Sequence, residues 1–393
     1  MQVVHLPLEK HPDRYTADLS DWESVAFISE FGPKGYVRIE PPSALSGLPN
    51  TSASAVLEPH RRTAASFAQV NSLVKILAEW VPQHRKAKHA LPAVWLSDFF
   101  TPGIEGLWYC GLHDVPVYAM FWAQTADQFD FTRGAMCPFM RQWENMAMEH
   151  YAGIFVASTE LKDRVVTIWP QHAAKVFCLD GGLPYNSKVV AKTYSTSDRP
   201  PLASRQFDLV WTSRWAPEKQ PWLFVEALEN TNLKGLLLSG VPNRSLDNLG
   251  RNLRERVTKL EQSGRLVIRS GLSRQAYFDA LKTARIQVNT SLQDWVSFTL
   301  LDALCAGCLP LYPLHRSFME VFRGYEEYTY ASPGMLTFKA NEFRSLLMEG
   351  TTTLSGLTHA GHPIFLGKFV ERTLRISDLA LTGIARLIYV RTV

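Results

Sequence analysis

The sequence predicts an α/β protein of two domains, and three observations carry that prediction. Short apolar runs such as Val115–Trp122 and Phe207–Thr212 each empty into a polar or Gly/Pro-punctuated loop before a helical pattern begins. The pattern fades in Ser195–Arg205, a stretch of Ser, Pro and Asp with little apolar content, and restarts at Phe207. A length of 393 residues exceeds one core and suits two or three. We therefore expect domains at residues 1–200 and 206–350. The tail, 351–393, carries a helix (Gly367–Leu387) expected to pack back across the domain junction.

In the first half, Gln2–Leu6 reads as the opening strand. It runs into the polar loop Pro7–Thr16, where Arg14 and Thr16 lie at a strand's carboxyl edge, the side on which open α/β sheets bind ligands. A helix follows over Ala17–Phe31, then a strand at Gly35–Ile39 and a loop at Pro41–Ala55. His60-Arg61-Arg62 opens a helix to about Trp80, and Gln83–His89 follows as a basic connection. That cluster reads either as a solvated link or as a phosphate-contacting patch. Pro92–Leu96 is a strand ending at Asp98. The strand Val115–Trp122 empties into Ala123–Phe131, where Gln124, Asp127 and Asp130 mix with aromatics. Such a loop suits an acceptor site, with Trp122, Phe129 or Phe131 stacking on a ring; core packing explains the same aromatics. A helix at Trp143–Tyr151, a strand at Gly153–Ala157, a helix capped by Ser158, and a strand at Lys175–Leu179 complete this half.

The second half repeats the scheme. Phe207–Thr212 is a strand, Ser213–Lys219 its loop, and Pro221–Leu228 a helix. Gly235–Ser239 and Leu266–Arg269 are strands separated by a charged helix, Leu246–Gln262. Ser273 caps a helix to Ala284 after the loop Ser270-Gly271-Leu272. The stretch Ile286–Leu314 reads as strand, loop, helix, strand: Ile286 to Val288, turn residues Asn289 to Asp294, helical spacing over Ser297–Leu304, Gly307 as its end, then Leu309–Leu311. Asp294 lies in the loop mouth and Asp302 two turns into the helix. Between them, Trp295, Val296, Ser297 and Phe298 form a helix N-terminus whose unpaired N–H groups suit a phosphate. Carboxylates flanking an anion site would serve a sugar–diphosphate–ribose ligand; a plain crossover with a capping Asp and a surface Asp also explains them. His315–Phe322 and Tyr328–Tyr330 are expected to complete the sheet, and Phe343–Met348 is helical.

Composition narrows the class. With 46% hydrophobic and 20% charged residues, and no run near 18 apolar residues, the chain reads as a globular protein without a membrane span. Five scattered cysteines make no disulfide framework and point to the cytoplasm. Cys305 and Cys308 lack a second pair for zinc and read as small core residues. The sequence has no phosphate-binding G-x-x-x-x-G-K, no H-E-x-x-H, no serine elbow and no D-x-D, so no metal site or cofactor is expected. Residues 1–200 carry 18 Lys and Arg against 20 Asp and Glu, and the remainder 23 against 17. The basic excess lies in the second half, where it suits an anionic donor.

Asp294-x7-Asp302 resembles the E-x7-E region of retaining GT-B glycosyltransferases, with both glutamates replaced by aspartate. Arg214-x4-Lys219 is similar to the R-x4-K element with which that family grips the donor diphosphate. The resemblance covers residues 206–330 well and 1–200 loosely. It implies two Rossmann-like domains facing each other across a cleft, and a nucleoside-diphosphate sugar as co-substrate. It implies Arg214, Lys219 and Asp294 as the catalytic group, Asp302 on the ribose, and Ser270, Gly271 and Leu272 at the nucleobase, with Trp295–Phe298 lining the donor. On the acceptor side it leaves Arg14, Thr16, Asp98, Gln124, Asp127 and Asp130. No His occurs between His113 and His150, where many of these enzymes keep one.

The acceptor is less constrained. Leu304–Pro313 looks similar to queuosine-tRNA mannosyltransferases, and Leu6–Thr16 to phage glycosyltransferases that modify DNA bases. The favoured acceptor is therefore a hydroxymethylated pyrimidine in DNA, with a tRNA base, a glycan or a small molecule as alternatives. A non-catalytic nucleotide-sugar binder and a GT-B epimerase are the rival classes.

Overall fold

Runs without polar alternation, such as Val117–Met120 and Phe207–Trp211, are buried along their whole length. Strands covered on both faces suit parallel pairing with helical crossovers, and that is the arrangement found. The computed structural model describes residues 1–10, 15–42, 59–130, 137–179, 182–239, 252–292, 294–295, 297–348, 357–359, 362–364 and 366–392. Arg14, Phe131 and Val296 therefore lie outside the described residues. Two compact units result: Met1–Pro184 with Asp378–Val393, and Tyr185–Ser377.

The first unit runs β1 (Val3–Leu6), α1 (Thr16–Phe31), β2 (Tyr36–Arg38), α2 (Pro59–Ala87), β3 (Ala93–Leu96), α3 (Gly106–Tyr109), β4 (Val117–Met120), α4 (Cys137–His150), β5 (Gly153–Val156), α5 (Thr159–Ile168) and β6 (Val176–Cys178). Its strands are parallel in the order β2-β1-β3-β4-β5-β6. A buried polar network ties α1 to the strands. His5 bonds the Tyr36 hydroxyl and Ser97 Oγ, both at 2.8 Å, and Ser97 donates to Glu23 at 2.7 Å. Glu23 also accepts from the Trp95 indole at 3.0 Å, so the groups are satisfied out of water.

The second unit runs α6 (Ser187–Thr193), β7 (Phe207–Trp211), α7 (Pro221–Glu229), β8 (Gly235–Leu238), α8 (Leu253–Gln262), β9 (Leu266–Arg269), α9 (Arg274–Leu281), β10 (Ala284–Val288), α10 (Phe298–Cys305), β11 (Leu309–Pro313), α11 (Ser317–Val321), β12 (Thr329–Tyr330) and α12 (Pro333–Met348). The hairpin of β13 (Leu357–His359) and β14 (His362–Ile364) precedes α13 (Leu366–Thr392). The main sheet is parallel, in the order β12-β11-β10-β7-β8-β9. From Asp378 onward, α13 belongs to the first unit, where Tyr389 packs edge-on against Phe31 and Thr392 bonds Tyr118.

The helix ends follow their residues. Ser158 and Ser273 accept from Leu161 N and Ala276 N, at 3.2 and 3.3 Å, as N-caps. At the end of α10, Cys308 N bonds Ala303 O and Gly307 N bonds Leu304 O, closing a Schellman turn. Gly307 has φ +71°, the left-handed region that favours glycine, and a Cβ there would also meet the Arg199 side chain at 2.6 Å. Cys305 and Cys308 are buried beside this turn.

Several expectations change. Ser195–Arg205 was expected as the linker, yet the units divide at Pro184. The reason is that this stretch packs into the second unit. The Arg205 side chain, 3% exposed, bonds Ala284 O and Ala306 O, and Arg199 bonds Cys305 O. The basic connection 83–89 is instead largely helical, since α2 continues through Pro82 to Ala87. His315–Phe322 adds no strand: it forms a turn and α11. Ala284 starts β10 rather than ending a helix.

Candidate active site

In an open parallel sheet, ligands bind beyond the carboxyl ends of the strands, where the strand order reverses. In the second unit that reversal lies between β7 and β10. The loop after β7 carries Arg214 and Lys219; the loop after β10 carries Asp294. Sequence reasoning set them 75 residues apart in the chain at the closest (Lys219 to Asp294), and the topology brings their strands side by side. Leu292 N bonds Glu218 O at 2.7 Å and Thr290 Oγ1 bonds Lys219 O at 2.6 Å, lacing the loops together. Lys219 Nζ then stands 3.8 Å from Asp294 Oδ2, and Arg214 pairs with Glu218 at 3.0 Å. Asn289 Nδ2 lies 3.5 Å from Asp294, and Ser317 Oγ donates to Asp294 O at 2.8 Å. The third loop, after β11, is thus pinned to the same place.

The turn is partly enclosed. Lys219 is 8% exposed, because the short helical turn Pro217–Lys219 tucks it beneath the loop after β10. Gln220 follows with φ +46°, redirecting the chain into α7. Beyond Asp294, Trp295 and Ser297 are buried, and Phe298 starts α10. Ser297 bonds Thr299 Oγ1 rather than capping a backbone N–H, so its side chain leaves the helix N–H groups to other partners.

Asp302 is enclosed by other side chains. The family resemblance would put it on a ribose, yet it is 2% exposed and both carboxylate oxygens are engaged. Arg274 binds it bidentately at 2.8 and 3.0 Å, and the Tyr185 hydroxyl donates to it at 3.0 Å. Tyr194, Tyr277 and Phe278 crowd the guanidinium, at 4.8 to 5.7 Å. Burial pushes the Tyr185 and Tyr277 hydroxyls well above their ordinary range. Sequence reasoning missed Arg274, although it shares a helical face with Phe278 and Leu281, both buried. Of the loop expected at the nucleobase, Ser270 and Gly271 are exposed and Leu272 is half-buried.

In the first unit the strand order reverses between β1 and β3. A cavity of about 40 Å³ lies there, lined by Pro7, Glu9, Ser66, Gln69, Asp98 and Thr101 among others. Gln69 holds its rim by donating to Pro7 O and Ile39 O at 3.0 and 2.8 Å. Asp98 accepts from Phe100 N and from Gln124 Nε2, at 3.0 and 3.1 Å. Gln124 in turn accepts from Trp122 N and Ala123 N, and so holds two non-glycine residues at positive φ, Ala123 (149°) and itself (40°). Strain of this kind gathers at functional loops.

The other acceptor-side residues divide. Thr16 is buried at the start of α1. Asp127 is fully buried and accepts from Phe129 N at 2.9 Å, which shapes the loop. Asp130 is half-buried. Sequence reasoning missed Glu144, which is fully buried and accepts from both the backbone N–H and the hydroxyl of Thr125. Burial raises its pKa from the ordinary glutamate value. Among the described residues, no group of His, Cys, Asp and Glu is arranged to hold a metal, and no helix is long and apolar enough to cross a membrane.

No family model matches the chain. Solved structures do. Sucrose-phosphate synthase from Thermosynechococcus elongatus superposes with TM-score 0.66 at 12% identity, over 100% of this chain and 99% of that one. OtsA gives 0.64 at 8% identity over 98% of each chain. HepE from Anabaena, crystallised with UDP-glucose, gives 0.61 at 12% identity over 99% of each. At such identities the likeness speaks for the fold, and the conclusion it supports is that this chain has the GT-B fold, built from two Rossmann-like α/β domains.

Proposed function

We propose that this protein is a retaining glycosyltransferase that moves a hexose from a nucleoside-diphosphate sugar to an acceptor hydroxyl without a metal ion. The observation that carries the reading is the convergence of Arg214, Lys219 and Asp294 at the strand-order reversal of the second sheet. As the bond between sugar and diphosphate breaks, negative charge grows on the departing phosphate. Cations already fixed beside it stabilise that charge more in the transition state than in the ground state. Asp294 pairs with Lys219, and in this reading its carboxylate serves the donor sugar's hydroxyls. The fold neighbours agree: HepE was crystallised with UDP-glucose, and starch synthase IV of Arabidopsis thaliana with ADP and acarbose.

The finer reading concerns the acceptor. Glu9 and Asp98 in the cavity of the first unit are hydrogen-bond acceptors that suit a hydroxyl-bearing group. A hydroxymethylated pyrimidine in DNA is the acceptor we favour, with Lys86 and Lys88 exposed near the end of α2 as phosphate contacts. Arg85 of the same cluster is already paired with Asp114 at 2.6 Å. Replacing Lys86 and Lys88 together should weaken DNA binding and flatten its salt dependence. If the protein binds neither DNA nor RNA at low ionic strength, a glycan or small-molecule acceptor takes its place.

The main test is a panel of UDP-, ADP- and GDP-sugars, read as release of nucleoside diphosphate. Slow hydrolysis of one donor is expected. Tight binding without turnover would make the protein a nucleotide-sugar binder; neither binding nor turnover would end the proposal.

A further inference from the structure

The turn after β4 is held by a helix that follows it in the chain. Ala123, with φ 149°, and Gln124, with φ 40°, adopt backbone conformations that residues with a Cβ rarely take. The next residue, Thr125, is fully buried, and α4 grips each of its polar groups. Glu144 accepts from the Thr125 N–H at 2.9 Å through one oxygen and from the Thr125 hydroxyl through the other. Arg141, one turn earlier on α4, donates to Thr125 O at 3.0 Å. Its guanidinium also lies 3.6 Å from Glu144 and 4.9 Å over the Trp169 ring. A fully buried carboxyl is unfavourable unless its oxygens are engaged, and here both meet one loop residue. On its other side the turn is fastened to the end of β3. Trp122 Nε1 donates to Ser97 O at 2.8 Å, and Gln124 Nε2 donates to Asp98 Oδ1 at 3.1 Å. Asp98 lines the cavity of the first unit.

We propose that Glu144, with Arg141 as its partner, is the positioning residue of the acceptor cavity: by fixing Thr125 it keeps Gln124 in the strained turn from which its amide orients Asp98. This rests on the acceptor reading of that cavity given above. Glu144 is fully buried, so it acts through these bonds and not by touching a substrate. Strain of this kind persists only where the surroundings over-determine it, and the grip of α4 on Thr125 supplies that constraint. A relaxed turn would draw the Gln124 amide away from Asp98, and the carboxylate in the cavity wall would lose a donor that orients it.

The test uses the full chain, the donor found with the nucleotide-sugar panel, and three acceptor probes: a duplex oligonucleotide bearing 5-hydroxymethylcytosine, maltotriose and glycerol. Glu144→Ala should lower kcat/KM for the acceptor about 10- to 100-fold, the effect of a small misplacement, and leave the donor KM unchanged. Glu144→Gln should recover most of that loss, since an amide can accept from the Thr125 N–H and donate to its hydroxyl. Arg141→Met, which leaves the carboxyl in place, should give a smaller loss of the same kind, and it carries the test if Glu144→Ala does not fold. Combining Gln124→Ala with the Glu144 or Arg141 change should add little to either alone, because all act on Asp98. Unchanged acceptor kcat/KM in the folded variant overturns the assignment. Equal losses for donor and acceptor, or additive losses in the double variant, assign Glu144 to the fold at large and overturn it as well. If the unaltered protein transfers to none of the three probes, the acceptor reading of the cavity fails and the role of Glu144 falls with it.

Discussion

Asp294 and Asp302 are separated by one helix mouth and two helical turns, and they present the same side chain to opposite conditions. Asp294 has a side chain 22% exposed, and its nearest cation, Lys219, is 3.8 Å away. Asp302 has a side chain 3% exposed, and Arg274 binds both its oxygens. The first keeps water and room for a ligand; the second is sealed by Tyr185 and the aromatics around Arg274. A spacing motif therefore tells where two carboxylates fall along a helix but not which of them a ligand can reach. The comparison can be broken or sharpened by experiment, taken here from the largest effect to the smallest.

Asp302→Ala should destabilise the fold by about 3–5 kcal/mol, because it strands a buried guanidinium. Denaturant unfolding measures this. Replacing both partners, Arg274→Met with Asp302→Leu, should cost less than the single change. Near-normal stability in Asp302→Ala together with a raised donor KM would return Asp302 to a ribose-binding role.

Lys219→Ala should lower turnover by about 10²–10³ through lost leaving-group stabilisation. Arg214→Ala should do the same, with less effect on melting, since its side chain is 29% exposed against 11% for Lys219. Steady-state kinetics on the donor found in the panel decide this, and unchanged turnover in either variant removes that residue from the catalytic group.

Asp294→Asn should affect activity and spare the fold. Its partly exposed ion pair is worth only about 0–1 kcal/mol, whereas turnover should fall roughly tenfold as Lys219 loses its anchor. A large drop in melting temperature with kinetics intact would erase the contrast with Asp302.

His315 gives a pH signature on the same rim. Burial, and then the charge of Arg316, hold its pKa below the ordinary histidine value. The unfolded chain thus takes up a proton that the folded chain resists. Stability should fall as pH drops through the histidine range toward the depressed folded value, and His315→Asn should flatten that part of the profile. A profile identical in both proteins would contradict it.

The smallest expected effect is none: activity should survive EDTA, because cations stand where a metal-dependent enzyme would place carboxylates. Complete loss, restored by manganese or magnesium, would refute the metal-independent mechanism.

The sequence by itself determined the α/β class, the order of most strands and helices, and the positions of Arg214, Lys219 and Asp294 in strand-end loops. These are local properties: apolar run length, turn residues at fixed offsets, and caps such as Ser158 and Ser273. It also located Gly307, whose positive φ ends α10. What only the tertiary structure decided was pairing and burial. Strand order set β7 beside β10, and so brought Lys219 to Asp294. Long-range packing placed Arg274 and Tyr185 on Asp302, turned Asp98 and Asp127 toward backbone N–H groups, and drew Arg205 into the second unit's core. A carboxylate reads alike in sequence whether it faces a substrate, a buried arginine or a loop amide. The difference is solvent access and partner, and both depend on segments far apart in the chain.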